Sequence, residues 1–130
     1  MTPKLDMIGL VVQDMASSLA FYRRFDLEFP QGSELEGHVE VTLPGGLRLS
    51  WDTLEVIHSF DPSWSAPVGS SRVALSFLLE TPAEVDAKFA ELESAGCEVH
   101  KAPWDAFWGQ RYAIFKDPDG NTVDLFASLV

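Results

Sequence analysis

The stretch Ile8-Gly9-Leu10-Val11-Val12-Gln13-Asp14-Met15-Ala16-Ser17-Ser18-Leu19-Ala20-Phe21-Tyr22 decides the fold. Its first part, with Leu5 to Met7 ahead of it, is an apolar run with β-branched residues and reads as a strand. Asp14 stands where a helix N-cap belongs, because its carboxylate can accept the free N–H groups of a first turn. Met15, Leu19 and Tyr22 then recur at i, i+4 and i+7, one apolar stripe of a helix. Short strands are expected to follow near residues 28–29, 38–43 and 47–52. Pro44-Gly45-Gly46 makes the turn between the last two.

The same plan returns in the second half. Arg72 to Leu79 reads as a strand, and Thr81-Pro82 opens a helix with a cap and a proline at its first position. Glu84, three residues after Thr81, completes a capping-box pattern. Val85, Phe89 and Leu92 form the stripe, and Gly96 ends the helix. Strands are expected near residues 98–100, 111–116 and 121–126, with Asp117-Pro118-Asp119-Gly120-Asn121 as the turn. Pro44 and Gly46 match Pro118 and Gly120, as duplication of one unit would leave them. The fold class is therefore α+β: two pseudo-repeated βαβββ modules forming a curved mixed sheet around a pocket. The modules span residues 1–59 and 72–130, with a Pro/Ser/Gly linker over 60–71.

Alternation along strands assigns faces. Ile8, Leu10 and Val12, then Val39, Val41 and Leu43, then Leu47, Leu49 and Trp51 should pack on the helix side. His38, Glu40, Thr42, Arg48, Ser50 and Asp52 should face the other way. In the second half Val73, Leu75, Phe77 and Leu79 take the helix side, as do Val123 and Leu125. Ala74, Ser76, Leu78, Asp124 and Phe126 are opposite. That second face is more polar and has small residues, so a curved sheet could enclose a pocket there.

The net charge of −11 gives no basic face for phosphate binding, which sets nucleic acid aside as a partner. An acidic surface serves solubility and also attracts cations. No apolar run approaches the roughly 18 residues of a membrane span. The N-terminus carries no signal-peptide pattern, and the lone Cys97 cannot form an internal disulfide, so a reducing cytoplasm is expected.

The opening stretch, together with Trp108-Gly109-Gln110-Arg111-Tyr112 and Asp117-Pro118-Asp119-Gly120-Asn121, resembles the vicinal oxygen chelate proteins over essentially the whole chain. That group holds glyoxalase I, extradiol dioxygenases, fosfomycin-resistance thiol transferases and drug-sequestering bleomycin-resistance proteins. The resemblance implies α+β modules paired into a partly closed barrel around a pocket, often across a homodimer. It also implies one divalent metal at four positions, which in this chain read Met7, Ser50, Ala74 and Asp124. Only Asp124 among these is a good hard-metal donor. The chain therefore looks like a metal-free branch of the group, with no cofactor.

Two readings of function follow. One is a binding protein that sequesters a planar or aromatic small molecule, cationic or neutral, such as an antibiotic. The alternative is a glyoxalase- or dioxygenase-like enzyme with altered ligands, or an Asp/His acid–base catalyst using Asp124 and His38 beside Glu40. For binding, the chain has four Trp, two Tyr and nine Phe. Trp104, Phe107 and Trp108 crowd what reads as a loop before the penultimate strand, with Tyr112 beyond it. They serve either as a pocket wall or as loop packing. Phe60 and Trp64 lie in the linker. His38, Ser50, Phe60, Trp64, Trp104, Phe107, Trp108, Tyr112 and Asp124 are the candidate ligand contacts.

Overall fold

The computed structural model describes residues 1–130, in two compact units, Met1–Ala66 and Pro67–Val130. The first unit holds β1 (Met7–Val12), α1 (Met15–Arg23), a 3-10 turn (Ser33–Leu35), β2 (His38–Thr42), β3 (Arg48–Thr53) and α2 (Leu54–Phe60). The second holds β4 (Ala74–Leu78), α3 (Pro82–Ser94), β5 (Glu98–Ala106), β6 (Gln110–Lys116) and β7 (Thr122–Ser128). The strands make two mixed sheets, ordered β1-β3-β2 and β4-β7-β6-β5, and neither sheet closes into a barrel. No helix is long and apolar enough to cross a membrane.

The caps form as the sequence dictates. Asp14 accepts the Ala16 N–H at 3.2 Å and the Ser17 hydroxyl at 2.7 Å. Thr81 and Glu84 make a full capping box. At the far end of α3, Cys97 N–H bonds to Leu92 O at 3.1 Å and Gly96 N–H to Glu93 O at 3.0 Å, a Schellman closure. It needs a residue with positive φ, and Gly96 takes +89°.

The duplication extends to hydrogen-bond register. In each unit the first strand runs parallel to the last. Met7 pairs with Arg48 and Gly9 with Ser50; correspondingly, Ala74 pairs with Thr122 and Ser76 with Asp124. The turns match as well. Gly46 N–H bonds to Leu43 O and Leu43 N–H to Leu47 O, while Gly120 N–H bonds to Asp117 O and Asp117 N–H to Asn121 O. Asp117 also accepts from the Asp119 and Asn121 amides, so the second turn is held by a side chain that the first lacks.

Three expectations need correction. No strand forms at residues 28–29, so the first module has three strands, not four. Pro30 has no N–H to donate, and the chain reverses there: Ser33 N–H and the Ser33 hydroxyl both bond to Pro30 O, with Gly32 at φ +86°. Phe29 is anchored by its ring against Trp51 instead (centroids 4.9 Å apart). Second, residues 54–60 are helical, so Phe60 ends a helix rather than starting a linker. Thr53 caps that helix by accepting the Val56 N–H at 3.3 Å. Third, β5 runs to Ala106, well past residue 100. It is an edge strand, where Pro103 is tolerated, and two register shifts between Val99 and Trp104 absorb the irregularity.

Candidate functional site

In the second unit α3 covers one sheet face, where Phe89 packs on Phe115 at 5.2 Å, and Val85, Leu92, Val123 and Leu125 are buried. By strand alternation Ser76, Tyr112, Asp124 and Phe126 point to the opposite face. The register brings them together: Ser76 lies opposite Asp124, and Tyr112 opposite Phe126 on one side and Trp104 on the other. Tyr112 Oη donates to Asp124 Oδ2 at 2.5 Å, and Ser76 Oγ donates to the same oxygen at 3.1 Å. Asp124 is 6% exposed, and its Oδ1 is buried without a hydrogen-bond partner. Burial, and then the bond to Asp124, push the Tyr112 phenol above its ordinary pKa.

An aromatic cluster lies beside this carboxylate, joined to it through Tyr112. Tyr112 stacks on Phe126 at 5.9 Å and meets the edges of Trp104 at 5.5 Å and Trp108 at 5.4 Å. Trp104 therefore stands on a strand, in register with Tyr112, not in a loop as its sequence context suggests. Phe107 and Trp108 occupy the tight β5–β6 turn closed by Gly109 N–H to Ala106 O. Phe107 is 97% exposed and touches the cluster only through Trp108, which is 48% exposed. The Trp108 indole donates to Gln110 Oε1 at 2.7 Å, which fixes its ring. Gln110, Ser76 and Phe126 are members of this group that are absent from the candidate ligand contacts, although Ser76 and Phe126 were expected on this face. Period-two alternation from Tyr112 and Asp124 already points to all three.

The first unit arranges the corresponding face differently. Ser50, the repeat counterpart of Asp124, is fully buried, and its hydroxyl has no partner. Gly9 stands where Ser76 would donate. His38, the counterpart of Tyr112, has Nδ1 2.6 Å from Asp52 Oδ1 and Nε2 2.9 Å from Glu40 Oε2. Those bonds, Glu40 first and Asp52 second, hold the imidazole above its ordinary pKa. Both ring nitrogens are engaged by carboxylates, so neither is free to take a proton from a substrate. Arg48 extends the network to Glu40 and Asp6. Phe60 and Trp64 also belong to the first unit. Phe60 is exposed at the end of α2, and Trp64 accepts at its carbonyl from His58. A shallow cleft of about 500 Å³ in this unit is lined by Arg23, Asp26, Leu27, Glu28 and Phe29, none of them a candidate contact.

The four positions that the resemblance assigns to a metal do not fit one. Met7 lies beside the cationic Arg48, and Ala74 offers no donor. Ser50 is a neutral hydroxyl, and one oxygen of Asp124 is taken by two hydroxyl donors. No group of three His, Cys, Asp or Glu side chains is arranged so that it could hold a metal ion.

A family model described as the Glyoxalase/Bleomycin resistance protein/Dioxygenase superfamily matches residues 4–125. The chain is 30% identical to the uncharacterized protein YraH of Bacillus subtilis, over 97% of this chain and 99% of that one. A glyoxalase/bleomycin resistance protein/dioxygenase family enzyme of Burkholderia phytofirmans shares the fold at a TM-score of 0.83 and 19% identity, covering 98% of this chain and 100% of that one. The fosfomycin resistance protein FosX of Listeria monocytogenes does so at 0.72 and 22%, covering 100% and 97%.

Proposed function

The chain belongs to the Glyoxalase/Bleomycin resistance protein/Dioxygenase superfamily, and from that premise we propose that it binds a planar aromatic small molecule on the second module, without converting it. One observation carries the reading: a buried carboxylate, oriented by Tyr112 and Ser76, is joined through Tyr112 to the ring cluster of Trp104, Trp108, Tyr112 and Phe126. Stacked or edge-on rings contribute about 0.5–1.5 kcal/mol per pair beyond burial, so several rings suffice for useful affinity with little polar help. The residues at the metal positions supply no chelate chemistry, and binding alone requires none. Ser50, His38, Phe60 and Trp64, of the first unit, are not part of this ring cluster, and the proposal does not use them.

Intrinsic Trp fluorescence and melting temperature, followed across a panel of planar heterocycles, test the reading. At least one compound should quench fluorescence and raise the melting temperature. Trp108→Ala should abolish both responses while leaving the unliganded melt nearly unchanged, because that ring is half-exposed. A panel with no response ends the proposal, and an unaffected Trp108→Ala variant moves the site elsewhere.

A further inference from the structure

Asp124 is a buried carboxylate whose two oxygens are used unequally. Oδ2 accepts from Tyr112 and from Ser76, while Oδ1 accepts from nothing. A buried acceptor left unpaired is destabilising, and more so when the group is charged. The two partners of Asp124 are neutral hydroxyls, so no cation in its hydrogen-bond shell offsets its charge. The Tyr112 ring beside it belongs to an aromatic cluster, whose ring faces favour a cation. One ring of that cluster already holds one: the Lys101 ammonium lies 3.9 Å from the Trp104 ring centroid. The carboxylate is also not deep. Ser76 is exposed and Tyr112 half-buried, so Asp124 sits one side chain below the surface.

Building on the binding reading above, we propose that Asp124 selects the ligand's class: an aromatic amine, protonated, that donates one N–H to Oδ1. Tyr112 and Ser76 hold Oδ2 and thereby turn Oδ1 toward that donor. A charge-assisted N–H bond in such a site is worth roughly tenfold or more in affinity over a neutral donor.

Three probes separate the components: 2-naphthylmethylammonium, its N,N,N-trimethyl derivative, and 2-naphthylmethanol. They share one ring system and differ in charge and in N–H donation. Dissociation constants come from Trp quenching. The primary ammonium should bind about tenfold tighter than the alcohol, with the trimethyl cation between them. Asp124→Asn should erase that order while leaving the alcohol within about twofold, and the alcohol also reports that the variant is folded. Should Asp124→Asn not fold, Tyr112→Phe keeps the ring and removes one of the two donors that hold Oδ2. It should narrow the gap between ammonium and alcohol by about threefold. Equal binding of all three probes, or an unchanged gap in both variants, overturns the amine assignment and leaves aromatic binding standing. No binding by any probe counts against the aromatic site itself.

Discussion

In the first module the large rings lie between sheet and helix. Tyr22 meets Trp51 edge-on at 5.4 Å, Phe29 meets Trp51 from another side, and Phe21 and Phe25 complete the group. In the second module the corresponding space holds a single phenylalanine pair, Phe89 on Phe115, among Val85, Leu92, Val123 and Leu125. Its Trp and Tyr rings, Trp104, Trp108 and Tyr112, stand on the other face with Phe126. The two sheets share register and turn bonds, so backbone geometry did not impose this difference. Parity within each strand did: Trp51 has the parity of the core, and Tyr112 that of the open face. One module spends its aromatic area on stability, and its duplicate leaves the same chemistry available to a ligand. The polar positions diverge in the same sense, with His38, Asp52 and Glu40 making an ionic network where the second module has Tyr112, Phe126 and Ile114.

Trp51→Ala should test the contrast most severely. The side chain is fully buried, so removing it should cost about 3–5 kcal/mol, read as a lower urea midpoint. Trp108→Ala in the other module should move that midpoint little. Equal losses would mean that the open-face rings are core after all.

The counterpart swap comes next. Ser50→Asp places a carboxylate in a buried position with Gly9 and His38 where Asp124 has two hydroxyl donors. A loss of about 3 kcal/mol near neutral pH is expected, shrinking in acid as the buried carboxyl protonates. The reverse change, Asp124→Ser, takes the acceptor from the Tyr112 and Ser76 hydroxyls, of which Ser76 is exposed to water, and should cost about 1 kcal/mol. Similar costs in both directions would show that the hydroxyl pair does not distinguish the modules.

Thr81→Ala removes one half of the capping box on α3 and should cost about 1 kcal/mol. Its midpoint shift should be matched by loss of Glu84→Ala additivity, since the two side chains act as a unit.

The smallest effect is expected at His38. Its folded pKa is raised from 6.5, so the ion pairs contribute fully below that value and fade as pH rises through the folded pKa. The group is half-exposed, and with solvent screening the contribution stays below about 1 kcal/mol. His38→Gln should therefore lower the urea midpoint at about pH 5.5 and leave it unchanged at about pH 9. A pH-independent difference would assign His38 a packing role instead.

Much of this was legible in the chain itself. Hydrophobic period and capping residues determined α1 and α3, Gly and Pro placement determined both turns, and alternation put Ser76, Tyr112, Asp124 and Phe126 on one face. Those signals are local: each depends on neighbours within a few residues, and each has one low-energy outcome. Three things were decided by tertiary structure alone. Phe29 lost its strand because a ring contact with Trp51, together with the reversal at Pro30, replaced ladder pairing. Trp104 became a strand residue because the edge of a four-stranded sheet tolerates Pro103 and two register shifts. The unequal use of the two Asp124 oxygens depends on a 48-residue separation from Ser76 and on a register that no local pattern encodes. Side-chain partners across a sheet are set by which strands meet and where, and that is a property of the folded chain.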